Sequence, residues 1–204
     1  RVMVAPGEKP RPRNPSWKVG SERSSFFKVK SLMNQDRFQG IDRSGNPFVI
    51  GICCAEDYPS LYEMYLHFSP KPASQGLPPE DPETCRNWLK NLLKIGFNLL
   101  AWRGNQVIGH AVLIPDPKGK SGEFIVFIDQ NNRNLGIGTE LTRLTLEKSK
   151  HLGFESVWLT VPLTNFIAIK LYKKFGFEYL DRDPYERVMR IQLQSLNPEG
   201  ASRG

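Results

Sequence analysis

The 204-residue chain has few of the features that membrane proteins, metalloproteins and disulfide-bonded proteins need. No apolar run approaches the roughly 18–20 residues of a membrane helix, and no apolar signal segment opens the sequence. The cysteines Cys53, Cys54 and Cys85 form no CxxC pair, and the three histidines are scattered along the chain. Adjacent cysteines rarely reach disulfide geometry. We therefore predict free thiols in a cytoplasmic compartment and no bound metal.

The composition is that of a folded domain, with 39% hydrophobic and 24% charged residues. The net charge is +7, and much of the excess lies in the N-terminal tail and in the segment 148–174. An anionic ligand, a nucleic acid or an acidic protein could each account for this charge. A nucleic acid is disfavoured because the basic residues of the tail have no aromatic neighbour beyond Trp17.

The distribution of proline and apolar residues divides the chain into four parts. Residues 1–25 carry prolines and basic residues with few apolar ones and are predicted to form a flexible arm. Residues 26–47 form an N-terminal extension, residues 48–194 a single domain and residues 195–204 a tail. The chain begins at Arg1 and not at methionine, which indicates a processed product, a trimmed protein or a piece of a longer polypeptide.

Within residues 48–194 the periodicity alternates between strand and helix patterns. An apolar run from Phe48 to Cys53 predicts a buried strand, and two amphipathic helices follow, the second capped by Asp81. A proline-rich loop separates these helices, and strands, a glycine turn and two further helices complete the segment. The order β-α-α-β-β-β-α-β-α-β-β predicts a mixed sheet with helices packed on it.

A glycine turn follows the strand Glu123–Ile128 and begins a helix that runs to His151. The turn reads Arg133-Asn-Leu-Gly136-Ile-Gly138. Free N–H groups and the positive end of the dipole make a helix N-terminus an anion site, and glycine allows close approach. No Gly-Lys-Ser/Thr follows, and Leu141 occupies the position of the third glycine in a dinucleotide fingerprint. Taken alone, the pattern favours a glycine-lined turn that holds no ligand over an anion site.

A second motif lies one strand and one helix further along the chain. It consists of an asparagine, an alanine, a leucine-tyrosine pair and a glycine-phenylalanine pair, which are Asn165, Ala168, Leu171-Tyr172 and Gly176-Phe177. Together with the strand and the glycine turn, it resembles the two core motifs of the GNAT superfamily of N-acetyltransferases. The resemblance covers roughly residues 48–194. It implies an α+β fold with a splayed, mostly antiparallel sheet flanked by helices, in which a central cleft receives acyl-CoA.

The resemblance implies the positions that bind acetyl-CoA or another acyl-CoA. Backbone groups on the strand would pair with the pantetheine arm, N–H groups of the glycine turn would hold the pyrophosphate with help from one arginine, and an asparagine would bond the pantetheine. In that order, the residues are Val126, Phe127 and Ile128; Asn134, Leu135, Gly136, Ile137, Gly138 and Thr139, with Arg133; and Asn165.

The resemblance also implies two catalytic residues. Tyr172 would donate a proton to the departing thiolate, and Glu123 would take a proton from the acceptor amine. His110 is a second candidate for the base. Each has a purely structural alternative: a core tyrosine, a solvent-facing carboxylate at a strand edge and a buried histidine.

The predicted reaction moves an acetyl group to an amine, on a small molecule or on a protein lysine or N-terminus, by direct transfer in a ternary complex. Two alternatives stay open, a non-catalytic acyl-CoA-binding module and an acyl-loading domain that serves a carrier protein in a multidomain synthase. Trp88 and Tyr65 are candidates to line the acceptor site, although both lie on apolar helix faces. A homodimer is compatible with the sequence.

Overall fold

The computed structural model describes residues 37–69, 78–117, 119–180 and 186–193. They form one sheet and four α-helices. The strands are β1 (Phe38–Ile41), β2 (Pro47–Ile52), β3 (Phe97–Arg103), β4 (Gln106–Pro115), β5 (Ser121–Ile128), β6 (Ser156–Pro162), β7 (Glu178–Tyr179) and β8 (Glu186–Gln192). The helices are α1 (Tyr58–Leu66), α2 (Pro82–Ile95), α3 (Ile137–His151) and α4 (Phe166–Lys174), with 3₁₀ turns at Ala55–Asp57 and Gln130–Asn132.

The strand order across the sheet is β1-β2-β3-β4-β5-β6-β8-β7. Neighbouring strands are antiparallel except for β5 and β6, which α3 connects as a crossover. The register of this parallel pair begins at Ser121 opposite Ser156 and ends at Glu123 opposite Trp158. Beyond that point β5 and β6 no longer pair with each other, so the sheet opens between them.

Helices cover both faces of the sheet. Buried residues of α3 and α4, including Leu141 and Tyr172, share a core cluster with Phe124 of β5. Buried residues of α1 and α2 form a second cluster with Phe127 of β5. Because successive side chains of a strand point to opposite faces, β5 contributes its even positions to the first cluster and its odd positions to the second.

The helix boundaries follow the capping residues in the sequence. Asp81 accepts a hydrogen bond from the Thr84 N–H at 2.7 Å, and Pro82 occupies the first turn of α2. Asn165 caps α4 by accepting from the Ala168 N–H at 3.2 Å. Such side-chain acceptors satisfy N–H groups that have no partner inside the helix.

The element order predicted from Phe48 onward is confirmed, and so is the mixed sheet with flanking helices. The sheet begins ahead of the predicted boundary at residue 48, because β1 pairs with β2 across a turn in which Gly45 has a φ of 84°. The predicted arm (1–25), the remainder of the extension up to residue 36 and the tail (195–204) lie outside the described residues.

Candidate active site

The opening between β5 and β6 exposes backbone groups of β5. The Asp129 N–H donates to the Ile108 carbonyl at 3.0 Å, so the odd positions at this edge direct their backbone groups toward β4. The even positions direct theirs to the other side, where β6 has already diverged. Val126 therefore presents its N–H and C=O to the opening, as an additional strand would require.

The backbone groups of the two residues that follow Val126 are less available to the opening. Phe127 pairs with His110 on β4, so its backbone groups point away from the opening. The Ile128 carbonyl lies on the open side and accepts from the Arg133 Nε at 3.1 Å. Of the three predicted backbone positions on β5, Val126 is the one that faces the opening with its carbonyl uncommitted among the described residues.

The glycine turn presents a row of backbone N–H groups. The N–H groups from Asn134 to Gly138 donate to no acceptor in the part of the chain that the structure describes, whereas the Thr139 N–H donates to the Gly136 carbonyl at 3.0 Å. Asn134 and Gly136 have φ values of 62° and 95°, in the left-handed region. These donors, at the N-terminus of α3, form a cradle whose chemistry fits a pyrophosphate.

Arg133 is held by neighbouring groups of the protein. Its Nη2 donates to the Ser69 carbonyl at 2.6 Å, in addition to the bond from Nε to Ile128. Its guanidinium lies 5.1 Å from the ring centroid of Phe68. Arg133 thus links the glycine turn to the end of α1, and its positive charge stays beside the cradle.

Asn165 lies at the N-terminus of α4 and is exposed. Its Oδ1 is occupied by the capping bond to Ala168, but its Nδ2 donates to no described residue. The side chain therefore combines a structural role at the helix start with an amide donor that a ligand can use.

Tyr172 is buried on the α3–α4 face of the sheet. Its ring packs edge-on against Phe124, with centroids 6.4 Å apart, and against Phe177 at 5.7 Å. The hydroxyl forms no hydrogen bond with a described residue, and burial raises the pKa of Tyr172 above its ordinary value. The phenol is therefore protonated at neutral pH and has a proton to donate.

Glu123 lies on the other face, at the last paired position before the opening. It is half-buried and directly precedes Phe124, against which Tyr172 packs, so the side chains of Glu123 and Tyr172 lie on opposite faces of the sheet. Burial raises the pKa of Glu123, and the charge of Asp116 adds to this effect. Asp116 is held in place by the Ser121 hydroxyl and by the Trp158 indole N–H at 3.1 Å.

His110 belongs to a buried hydrogen-bonded chain. The Asn98 amide donates to the Gly96 carbonyl at 2.7 Å, so its oxygen accepts from the His110 Nε2 at 2.9 Å. The Nδ1 atom then accepts from the Tyr65 hydroxyl at 2.6 Å. Burial lowers the pKa of His110 to about 3. Both ring nitrogens are bonded inside the protein, which agrees with the structural alternative for His110, a buried histidine.

Tyr65 is a core residue, and Trp88 is a partly buried residue that packs against the same core. Tyr65 is fully buried, and Trp88 packs edge-on against it at a centroid distance of 5.2 Å and against Phe127 at 5.8 Å. Their contacts join α1 and α2 to the sheet. This packing agrees with the structural alternative for both residues.

Sequence reasoning missed a set of residues that support the glycine turn. Arg103 donates to the Asn132 Oδ1 at 2.6 Å and also to the buried carboxylate of Asp42. Arg43 donates to two carbonyls of the turn. The turn signal at 42–47 was readable, but its proximity to residues 132–135 depends on how β1 and β2 join the sheet.

A cavity of about 740 Å³ lies beside this region, outside the opening between β5 and β6. Its lining combines residues of α1, the β3–β4 turn and the segment before the glycine turn, including Glu63, His67, Asn105 and Gln130. Among the described residues, no group of three potential metal-ligating side chains comes together. None of the described helices combines the length and the apolar character of a membrane span.

A mixed sheet that opens between two parallel strands, beside an anion cradle at a helix N-terminus, defines the N-acetyltransferase class of fold. Residues 36–177 match the sequence model of the Acetyltransferase (GNAT) family, and the chain belongs to that family.

The similar proteins carry different names. The mycothiol acetyltransferase of Geodermatophilus obscurus is 33% identical over a segment covering 40% of this chain and 28% of that protein, so the match spans little more than a quarter of the relative. The GNAT domain of PAT from S. lividans has a TM-score of 0.63 at 12% identity, covering 77% of this chain and 97% of the domain. The PaiA N-acetyltransferase of Thermoplasma acidophilum, in complex with coenzyme A, has a TM-score of 0.60 at 19% identity. The match covers 71% of this chain and 98% of that chain.

Proposed function

We propose that this chain transfers an acetyl group from acetyl-CoA to an amine, by direct transfer within a ternary complex. The observation that carries the proposal is the row of unpaired N–H groups from Asn134 to Gly138, next to the open edge of β5. A diphosphate suits the first feature and an extended amide-containing arm suits the second. Coenzyme A contains both chemical groups.

The contacts support the following cofactor-binding roles. The cradle donates to the pyrophosphate, the Val126 backbone bonds the pantetheine arm and the Asn165 amide adds a further donor. Arg133 contributes its charge and holds the end of α1 against the turn. Phe127 supports the site through its ring, which packs against Phe68 at a centroid distance of 5.7 Å, and not through its backbone.

Two side chains supply the proton transfers. Glu123 accepts a proton from the acceptor amine, and its raised pKa gives it a higher proton affinity than an exposed carboxylate has. Tyr172 donates a proton to the sulfur of the leaving thiolate from the opposite side of the sheet. Because one cleft holds both reactants, positioning contributes a large part of the rate, up to roughly 7–11 kcal/mol in well-oriented systems.

The acceptor is proposed as an amine in a cytoplasmic setting. The named relatives include a mycothiol acetyltransferase and an N-acetyltransferase, which between them point to no single acceptor. Small amines, protein lysines and protein N-termini therefore all belong in the substrate panel.

Calorimetric titration with acetyl-CoA tests the binding step. We expect the wild-type protein to bind and Gly136→Asp to lose binding, because the new carboxylate repels the phosphates and occupies the cradle. Gly153→Asp is the matched control, since Gly153 also has a positive φ (82°) and open space around its Cβ, but lies beyond the far end of α3. Equal binding by the two variants would remove the cradle from the site.

An assay of CoA release tests the transfer step. Acetyl-CoA is combined in turn with polyamines, lysine peptides, N-terminal peptides and acyl carrier proteins. Turnover with an amine supports the proposed reaction. Binding without turnover on any acceptor indicates a non-catalytic acyl-CoA module, and turnover confined to carrier proteins indicates a loading domain.

A further inference from the structure

The β1–β2 turn contacts the glycine turn directly, through one residue. The Arg43 N–H donates to the Leu135 carbonyl at 3.1 Å, and the Arg43 Nη1 donates to the Asn134 carbonyl at 3.3 Å. Both acceptors belong to the turn that carries the cradle. A single arginine therefore holds two consecutive peptide groups.

These two bonds fix the direction of the cradle. In a planar trans peptide, the N–H points opposite to the C=O of the same peptide group. With the carbonyls of Asn134 and Leu135 turned toward Arg43, the N–H groups of Leu135 and Gly136 are turned away from it. The left-handed φ of Asn134 (62°) is uncommon for an L residue, although asparagine adopts it more readily than most, and the bonds to Arg43 help to hold it.

A second set of bonds links the β1–β2 turn to the segment just before the glycine turn. The Asp42 carboxylate accepts from the N–H groups of Ser44 at 2.8 Å and Asn46 at 3.0 Å, which shapes the β1–β2 turn. The same carboxylate accepts a hydrogen bond from the Arg103 Nη2. The Arg103 Nη1 donates to Asn132, just before the glycine turn. Arg43 is thus presented from a turn that is itself tied to the cradle.

We propose that Arg43 is a positioning residue for the pyrophosphate cradle, acting through the carbonyls of Asn134 and Leu135. The inference rests on the proposed function, because the cradle requires a phosphate ligand to have an effect. Its consequence is selective: loss of Arg43 weakens binding of ligands that contain the pyrophosphate and leaves binding of the pantetheine portion unchanged.

Two substitutions at Arg43 separate its contacts. Arg43→Ala removes the guanidinium and keeps the backbone donor. Arg43→Pro removes both donors and suits the backbone, because the Gly45 N–H donates to the Asp42 carbonyl and Arg43 is therefore the second residue of a β-turn, where proline is favoured. Ser44→Ala is the control in the same turn. Thermal unfolding of each ligand-free variant checks that the fold is kept.

Each protein is titrated with CoA by calorimetry and with pantetheine, which lacks the pyrophosphate, by NMR. We expect the Kd for CoA to rise about tenfold to a hundredfold in Arg43→Pro, because a displaced cradle loses about one charge-assisted hydrogen bond to the pyrophosphate. The rise should be smaller in Arg43→Ala, and Ser44→Ala should bind as the wild type does. The Kd for pantetheine should be the same throughout.

The other outcomes are decisive as well. If Arg43→Pro and Arg43→Ala bind CoA as Ser44→Ala does, Arg43 does not position the cradle. If both lose pantetheine as strongly as CoA, the effect is a general disturbance and the inference is wrong. If Arg43→Pro fails to fold, the comparison of Arg43→Ala with Ser44→Ala decides. If the wild-type protein does not bind CoA, the proposed function fails and this inference falls with it.

Discussion

At the residue scale, the surroundings of Glu123 raise the pKa of its carboxyl group. Glu123 lies at the last position of β5 that pairs with β6, half-buried and close to the charge of Asp116. Both surroundings disfavour the ionised form, so the pKa rises toward the range in which a carboxylate is an effective base. A solvent-facing glutamate at a strand edge would have no comparable shift.

Glu123→Gln should lower kcat by about a hundredfold or more, the usual contribution of a general base, while the Kd for acetyl-CoA stays unchanged. The amide has nearly the same shape but cannot accept the proton. Steady-state kinetics and calorimetry measure the two quantities. Glu155→Gln is the control, because Glu155 is exposed and pairs with Lys120 away from the opening. Full turnover by Glu123→Gln would exclude the residue as the base.

Asp116→Asn tests whether the charge of Asp116 contributes to the raised pKa of Glu123. Removing the neighbouring negative charge stabilises the Glu123 carboxylate, so its pKa falls. Because the active base is the ionised form, the acid limb of the profile of kcat/KM against pH should move to lower pH. The profile of the control variant Glu155→Gln should coincide with that of the wild type. An unmoved limb in Asp116→Asn would mean that Glu123 does not set it.

Tyr172→Phe removes one oxygen and keeps the ring between Phe124 and Phe177. We expect kcat to fall about tenfold or more with little change in stability, because the packing is preserved and the donor is lost. The pH profile of kcat and the melting temperature are the measurements. Wild-type kinetics with an unaltered profile would leave Tyr172 as a core residue alone.

At the element scale, one strand serves three purposes. The even side chains of β5 pack under α3 and α4, its odd side chains pack under α1 and α2, and its backbone is left open where β6 diverges. The helix that follows places a cradle at the end of this open edge. The next connection between elements, from β6 into α4, places a capping asparagine at the other side of the opening.

Substitutions at Asn165 distinguish the helix cap from the ligand donor. Asn165→Ser keeps a side-chain acceptor for the Ala168 N–H but removes the amide donor, whereas Asn165→Ala removes both. We expect Asn165→Ser to retain stability and to weaken acetyl-CoA binding roughly tenfold. Asn165→Ala should lose about 1 kcal/mol of stability as well. Urea unfolding and calorimetry report these separately, and unchanged binding in both variants would limit Asn165 to the cap.

At the scale of the whole molecule, a polar chain crosses the core on the α1–α2 side. It runs from Tyr65 on α1 through His110 on β4 to Asn98 on β3, whose amide bonds the carbonyls at the end of α2. Every member is satisfied only when these four elements are assembled. The chain therefore specifies one arrangement of the layers, and it makes folding sensitive to pH.

The pKa of His110 is about 3 in the folded protein, against an ordinary value of 6.5. Below pH 6.5 the unfolded chain binds a proton that the folded protein excludes, so the free energy of unfolding falls as the pH falls toward 3. The slope approaches about 1.4 kcal/mol per pH unit. Urea unfolding between pH 7 and 4 measures it.

Two variants separate the contribution of His110 to the pH dependence of the free energy of unfolding from that of the carboxylates. His110→Gln should be less stable at neutral pH but should lose the histidine part of the slope. His67→Gln changes an exposed histidine and should retain the slope of the wild type. If the free energy of unfolding has the same slope against pH in His110→Gln and in the wild type, His110 is not a buried histidine that stays neutral in the folded protein.

The sequence by itself determined the element order, the mixed sheet and the family, because hydrophobic periodicity, caps and glycine positions are local signals. The placement of the glycine turn at the start of α3 and of Asn165 and Tyr172 on α4 also came from local motifs. Their roles in binding and catalysis stay predictions.

The tertiary structure alone decided which groups meet at the site. It directs the Phe127 backbone to β4, commits His110 to the core and raises the pKa of Glu123 through burial and, in second place, the charge of Asp116. It also brings Arg43 to Asn134, 91 residues further along the chain. These facts depend on strand register and on how β1 and β2 join the sheet. Contacts of that kind connect distant segments, so no local pattern in the sequence carries them.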